Sequence, residues 1–307
     1  MPDRSVGRFA PSPSGPLHLG NLRTAVVAWC VARQRGGSFL VRMEDLTTGA
    51  APVAEQQQLE DLRLLGLDFD GDVVRQSDRQ DHYDAAIDVL TESGRTYPCF
   101  CTRAEVRREL AAAAGAPHGL AGEADGYPGT CRDLSSREVA ARVAEGRRAA
   151  VRLRAESAAV TATDLRLGER TAVVDDFVLR RADGVAAYNL AVVVDDAAQG
   201  VDHVVRGDDL WPTTPRQVLL GQLLGYEAPT YVHVPLVLGA DGHRLAKRHG
   251  AVGLRDQLRI GRTVPDIVSM FARSLGVSQA HEVTDLRWLA RRLDISNLPP
   301  EPWIWDE

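Results

Sequence analysis

The stretch from Arg8 to Asn21, R-F-A-P-S-P-S-G-P-L-H-L-G-N, constrains the fold more than any other part of the chain. Val6 to Ala10 reads as a short apolar strand. Pro11, Pro13 and Pro16 then exclude a helix, because each lacks a backbone N–H and fixes φ. Gly15 and Gly20 let the backbone come close to a bulky ligand. From Leu22 to Arg35, Leu22, Val26, Trp29 and Val31 sit among good helix formers, so a helix is expected there. Strand, tight loop and helix in this order aim free N–H groups at a site beside the helix N-terminus, where phosphate binds well. His18 lies on that loop, within reach of a phosphate or ribose oxygen.

The text downstream keeps alternating. Ser38–Met43 reads as a buried strand ending in Arg42-Met43-Glu44-Asp45, which places carboxylates where open α/β sheets bind ligands. Pro52–Leu65 and Asp78–Leu90 read as helices, the second capped by Ser77 or Asp78 and ended by Gly94. This alternation predicts a mostly parallel sheet covered by helices on both faces. A helix from Thr102 to Ala114 opens on a Thr102/Glu105 capping box, and Gly115–Gly126 reads as a loop. A charged helix is expected over Ser135–Glu145. Strands are expected at Ala150–Leu153, Asp176–Arg181, Val185–Val194, Val201–Val205 and Tyr231–Leu238, with turns at Asp183-Gly184 and Asp241-Gly242. Helices are expected at Thr214–Leu224, Val264–Leu275 and Thr284–Leu293, and Trp303 and Trp305 in the tail are expected to dock on the body.

As a unit, P-S-P-S-G-P-L-H-L-G-N resembles the first signature of class I aminoacyl-tRNA synthetases, in the form used by the glutamyl and glutaminyl group. Far downstream, Arg244-Leu245-Ala246-Lys247-Arg248 resembles the second signature, with Arg244 in place of a lysine and Ala246 in place of a serine. Arg keeps the charge, whereas the lost hydroxyl removes one hydrogen bond. The resemblance implies an α/β fold: a Rossmann-like class I catalytic core, an inserted zinc-containing subdomain like an acceptor-binding domain, and a short helical C-terminal segment. The corresponding boundaries are 1–95 and 186–250 for the two halves of the core, 96–185 for the insert and 251–307 for the helical segment. It also implies that His18, Gly20, Asn21 and Lys247 bind ATP, with His18 and Lys247 catalytic. Arg8, Ala10, Ser12, Glu44, Tyr188 and Arg206 would form the glutamate pocket, Tyr188 on the strand before Arg206. The chemistry is consistent: Arg suits bidentate pairing with a carboxylate, and an anionic side chain suits an ammonium.

Cys99, Cys101 and Cys131 supply three sulphurs to a site that would want a fourth ligand for zinc. On chemistry alone His118, Asp133 or Glu105 completes the set. The resemblance instead implies Tyr127, with one zinc per chain. Cys30 falls inside the first helix and is expected in the core.

Of the 307 residues 44% are hydrophobic and 25% charged, an ordinary globular composition. No apolar run approaches the ~18 residues of a membrane span, and no signal peptide is evident, so a cytoplasmic protein with no membrane partner is expected. The net charge of −6 gives no support to nucleic-acid binding, so that expectation rests on the motifs. Only roughly 60 residues follow Arg248, too few for the closing helices and an anticodon-binding domain as well. The pattern is therefore that of a short paralogue of glutamyl-tRNA synthetase. It implies glutamate and ATP, with Mg, as substrates, and transfer of glutamate to queuosine in the anticodon stem-loop of tRNA(Asp). Arg103, Arg107, Arg108 and Arg132 are candidates to follow that stem-loop's phosphates. The residues leave open a minimal glutamyl-tRNA synthetase charging a 3′ end, a nucleotidylyltransferase, and a non-catalytic RNA-binding paralogue.

Overall fold

The computed structural model describes residues 5–46, 52–114, 126–245, 250, 252–277 and 285–306. The first half of the core runs β1 (Val6–Phe9), α1 (Leu19–Gln34), β2 (Ser38–Met43), α2 (Pro52–Leu65), β3 (Val74–Arg75) and α3 (Gln80–Glu92). Then follow β4 (Thr96–Cys99), α4 (Arg103–Ala114), α5 (Ser136–Ala144), β5 (Ala150–Leu153), β6 (Ala159–Asp164), β7 (Gly168–Val173) and β8 (Val178–Arg180). The chain returns through α6 (Tyr188–Ala198), β9 (His203–Gly207), α7 (Thr214–Leu224), β10 (Thr230–Val234) and β11 (Val237–Gly239). It closes with α8 (Leu254–Arg259), α9 (Val264–Ser274), α10 (Leu286–Ala290) and β12 (Trp303–Trp305).

Seven strands form one sheet in the order β3-β2-β1-β9-β10-β6-β7. All its neighbours are parallel except the β6–β7 pair, an antiparallel hairpin at the edge. β1 and β9 are adjacent although nearly 200 residues apart in sequence, and the chain order reverses between them. Ligands bind at the carboxyl ends of strands beside such a switch point. One core, built on α1, β2 and α8–α10, covers one face of the sheet. A second, built on α3, α6 and α7, covers the other. α1 is apolar almost all round because the sheet and the closing helices cover it on both sides.

In a separate three-stranded antiparallel sheet, β4-β5-β8, strand β4 ends on Cys99, and a small third core gathers Cys99 and Cys131 beside it. The segment 96–185 thus supplies two sheets, since β6 and β7 join the large one. The tail docks as expected: β12 pairs with β11, and Trp303 meets Phe271 and Trp305 edge-on.

Several expectations need correction. Val185–Val194 is not a strand; from Tyr188 it is helix α6. Its run of valines favours a strand locally, but burial against α3 and α7 overrides that preference. α1 starts at Leu19, three residues before the expected start, because His18 itself caps it. Neither Ser77 nor Asp78 caps α3, which continues from a 3₁₀ turn at Gln76–Arg79. Tyr231–Leu238 is two strands in two sheets, with Pro235 and Leu236 between them. The loop expected at Gly115–Gly126 lies, up to residue 125, outside the described residues, as does His118.

Gly37 shows how tightly β1 and β2 are joined. A Cβ there would stand 2.1 Å from the Ser5 carbonyl oxygen, which already accepts from the Ser38 N–H at 2.8 Å. Backbone cannot yield as a flexible side chain would. Gly37→Ala is expected to lower unfolding stability in urea by about 1–3 kcal/mol. An unchanged midpoint would contradict this register.

Candidate active site

The loop after β1 is held from two sides. From α2, the Gln58 amide donates to the carbonyls of Ser12 (3.0 Å) and Gly15 (2.6 Å). At its end His18 and Asn21 bond reciprocally: His18 Nδ1 accepts from the Asn21 N–H at 3.2 Å, and Asn21 Oδ1 accepts from the His18 N–H at 3.3 Å. Nδ1 is therefore the acceptor and the ring proton sits on Nε2, a donor. Burial first, and Arg244 second, lower the His18 pKa, so the ring is neutral near pH 7. Gly20 is needed here, because a Cβ would lie 3.0 Å from the His18 ring.

The carboxyl ends of β1, β2 and β9 meet in one cavity of about 780 Å³. Arg8, Ala10, Ser12, His18, Gly20, Asn21, Glu44, Tyr188 and Arg206 all line it, so the structure brings together every predicted pocket residue among the described ones. Tyr188 reaches it from the first turn of α6, at the mouth, 42% exposed.

The charges around the cavity are unequal. Arg8 donates from Nε and Nη2 to both Asp196 oxygens, at 3.2 and 3.3 Å. Arg42, wholly buried, reaches Asp196 at 2.8 Å, and Asp195 and Glu44 at 3.7 Å each. Burial raises the Glu44 pKa, against the pull of Arg42 and Arg8. Arg206 differs: among the described residues no carboxylate pairs with it. One end of the cavity thus offers a shared carboxylate and another an unshared cation, a pattern complementary to an amino acid's ammonium and carboxylate groups.

Arg42, Gln58 and Asp196 were not legible as site residues, since their partners lie 43 residues or more away, Glu44 excepted. Arg42-x-Glu44 at the end of a strand was the one available signal. Arg244, at the far rim, pairs with Asp209. Leu245 is buried against the cavity and donates to the Val237 carbonyl at 3.1 Å. Lys247 lies outside the described residues.

The sulphurs of Cys99, Cys101 and Cys131 lie within 4.8 Å of one another. The Tyr127 hydroxyl is 3.3 Å from Cys99 Sγ and 3.5 Å from Cys101 Sγ, and it accepts from the Cys131 N–H at 2.9 Å. Metal–sulphur bonds of ~2.3 Å at tetrahedral angles put sulphurs ~3.8 Å apart, and Cys101 and Cys131 are separated by 3.5 Å. The donor set therefore fits a tetrahedral ion. The other candidate ligands are engaged elsewhere: Asp133 with Arg154, and Glu105 with the Thr102 N–H. Arg132 is bound to Asp176, whereas Arg103, Arg107 and Arg108 are exposed. Cys30 is fully buried in the core. Among the described residues, no helix is long and apolar enough to cross a membrane.

The family model for tRNA synthetases class I (E and Q), catalytic domain, matches residues 5–306. The glutamyl-Q tRNA(Asp) synthetase of Nocardia farcinica (strain IFM 10152) is 56% identical over 299 residues, covering 97% of this chain and 92% of that one. That of Symbiobacterium thermophilum (strain DSM 24528 / JCM 14929 / IAM 14863 / T) is 45% identical over 308 residues, covering 96% and 94%. A glutamate tRNA ligase from Elizabethkingia meningosepticum CCUG26117, crystallised in complex with its amino acid, superimposes with a TM-score of 0.83 at 26% identity, covering 98% of this chain and 67% of that one. The chain belongs to the class I tRNA synthetases of the E and Q type and, within them, to the glutamyl-Q tRNA(Asp) synthetases.

Proposed function

We propose that this chain activates L-glutamate with ATP and transfers it to queuosine at the wobble position of tRNA(Asp). The observation that carries the reading is the single cavity in which the phosphate-type loop of His18 meets Glu44 and the unshared Arg206. In the first step a glutamate carboxylate oxygen attacks the α-phosphorus of ATP and the bond to the β-phosphate breaks, releasing pyrophosphate. In the second a hydroxyl of the queuosine cyclopentene-diol attacks the activated carbonyl, loses its proton, and AMP departs. The protein's share is positioning and charge neutralisation. Glu44 holds the ammonium, Arg8 and Arg206 serve the carboxylate end, and His18 Nε2–H, the backbone at Gly20 and the Asn21 side of the loop face the nucleotide, with Lys247 on the phosphates. Ala10 and Ser12 complete the amino-acid wall. The anticodon loop suits such a site because its unstacked bases can enter a pocket.

Pyrophosphate exchange is expected with glutamate alone among the twenty amino acids, and without any tRNA. Glutamate is then expected to enter an isolated queuosine-containing anticodon stem-loop, and periodate, which destroys free cis-diols, is expected to abolish this. Incorporation only at the 3′ end of tRNA(Glu) would indicate a minimal glutamyl-tRNA synthetase instead.

Cys99, Cys101, Tyr127 and Cys131 would hold one zinc ion, whose contribution is structural: it ties β4 to the segment before α5. Burial pushes the Cys101 thiol up to about 11 and raises the Tyr127 phenol further, so a metal has to displace both protons. Purified protein is expected to contain one zinc per chain, reduced by Cys131→Ser and by Tyr127→Phe. Full zinc in Tyr127→Phe would exclude the tyrosine as ligand.

A further inference from the structure

Arg206 is buried, 5% exposed, yet among the described residues its guanidinium is met by neutral acceptors. Its Nε donates to His233 Nε2 at 3.0 Å, its Nη1 to Gln217 Oε1 at 2.6 Å, and its Nη2 to Thr214 Oγ1 at 2.8 Å. All three partners are at most 3% exposed. Arg has no lone pair to offer, so His233 Nε2 must be unprotonated and the ring proton must sit on Nδ1. There it is met by Asp164 Oδ2 at 2.8 Å, an oxygen that also accepts from the His233 backbone N–H at 2.7 Å. The other Asp164 oxygen takes the N–H groups of Arg166 (2.8 Å) and Leu167 (2.7 Å). Asp164 is therefore committed on both oxygens and points away from Arg206. Nor can the Arg206 cation be neutralised through Gln217, whose amide nitrogen is turned to Asn189 Oδ1 at 3.1 Å.

We infer that His233, Gln217 and Thr214 form a neutral acceptor cradle, locked by Asp164, that positions Arg206 and keeps its charge free for the substrate carboxylate, making these three residues determinants of glutamate specificity. The inference rests on the reading that Arg206 binds glutamate. The cradle uses three of the five guanidinium N–H groups and leaves two, one on each Nη, for a planar anion. Burial foremost, then the neighbouring Arg206 charge, lowers the His233 pKa and keeps the ring neutral against the pull of Asp164. Burial pushes the Asp164 carboxyl up, but the bonds from His233, Leu167 and Arg166 outweigh it and hold it below its ordinary value. Arg8, by contrast, already shares its charge with Asp196, so discrimination between a side-chain carboxylate and a side-chain amide falls to Arg206.

The test is tRNA-independent pyrophosphate exchange with separate KM values for glutamate and ATP. Gln217→Glu keeps the shape and adds a carboxylate against Arg206. It is expected to raise the glutamate KM about 10- to 100-fold, with the ATP KM within about twofold and thermal stability maintained. His233→Leu is expected to raise the glutamate KM similarly, and His233→Gln, which restores an acceptor, to recover much of the loss. A merely structural role would lower the active fraction and leave both KM values alone. If Arg206→Met raises the glutamate KM while Gln217→Glu and His233→Leu do not, the cradle is wrong and the pocket reading stands. If Arg206→Met itself leaves the glutamate KM unchanged, the pocket reading fails. Should His233→Leu not fold, Gln217→Glu decides.

Discussion

Lys247→Ala is expected to lower glutamate-dependent pyrophosphate exchange by about 10² or more, the scale on which one transition-state charge contact is lost. The described residues flanking Lys247 lie beside the His18 loop. On one side Leu245 is buried at the cavity and bonded to β11. On the other the Val252 carbonyl accepts from the Leu19 N–H at 2.7 Å, and Gly253 forms a bridge with His18. In the proposed role Lys247 supplies a cation to the phosphates of a bound nucleotide, a task suited to a compact charge on a flexible four-carbon stem. The loss is expected in kcat rather than in the glutamate KM, because charge on the leaving pyrophosphate develops in the transition state. Exchange within twofold of wild type would remove Lys247 from the catalytic machinery.

The second large effect concerns stability. Arg42 is wholly buried and answers to three carboxylates, Asp195, Asp196 and Glu44, besides donating to Gln199 Oε1 at 2.7 Å. Burial alone would lower its pKa; those carboxylates outweigh burial and raise it, so the guanidinium stays charged. Removing Arg42 leaves buried Glu44 without its ion pair, and Asp196 with Arg8 and Asp195 with Arg79 as their remaining arginines, and Arg42→Met is expected to cost about 3–5 kcal/mol in urea unfolding at pH 7. The pH dependence has a definite sign. Glu44 already has its pKa raised by burial, and losing Arg42 raises it further. A carboxyl whose folded pKa lies above its unfolded value costs stability when ionised, and that cost fades as pH falls through the raised folded pKa. The deficit of Arg42→Met relative to wild type should therefore shrink as the pH is lowered from 7 towards 4.5, the ordinary glutamate value. A deficit under 1 kcal/mol, or one that grows over this range, would show that Arg8 and Arg79 suffice for the cluster.

The parts of the site that could be read from the chain are those whose meaning is local. Pro11, Pro13 and Pro16 exclude helix and the glycines allow close approach wherever the segment lies, so the loop from Arg8 to Asn21 is legible without its surroundings. The Thr102/Glu105 box caps α4 as expected, with bonds of 3.2 and 2.6 Å, because such a box needs only its own four residues. α6 is the counterexample. Val192, Val193 and Val194 favour a strand by intrinsic preference, and the helix forms because its buried face packs on α3 and α7 and its C-terminal Asp195 and Asp196 reach arginines on other elements. No window around Tyr188 contains those arginines.

The sequence by itself determined the strand–loop–helix start, the alternation that makes a parallel sheet and the cysteine spacing, since these depend on residue types and short-range geometry, whereas the pocket residues were implied by the resemblance to a family. Tertiary structure alone decided which arginine remains free. Arg8, Arg42 and Arg206 are equivalent cations in the text, but folding brings Asp196 to the first two and His233, Gln217 and Thr214 to the third. An ion's usefulness to a substrate depends on what already surrounds it in a medium where water cannot screen the choice, and that surrounding is assembled from strands and helices as far as 188 residues apart.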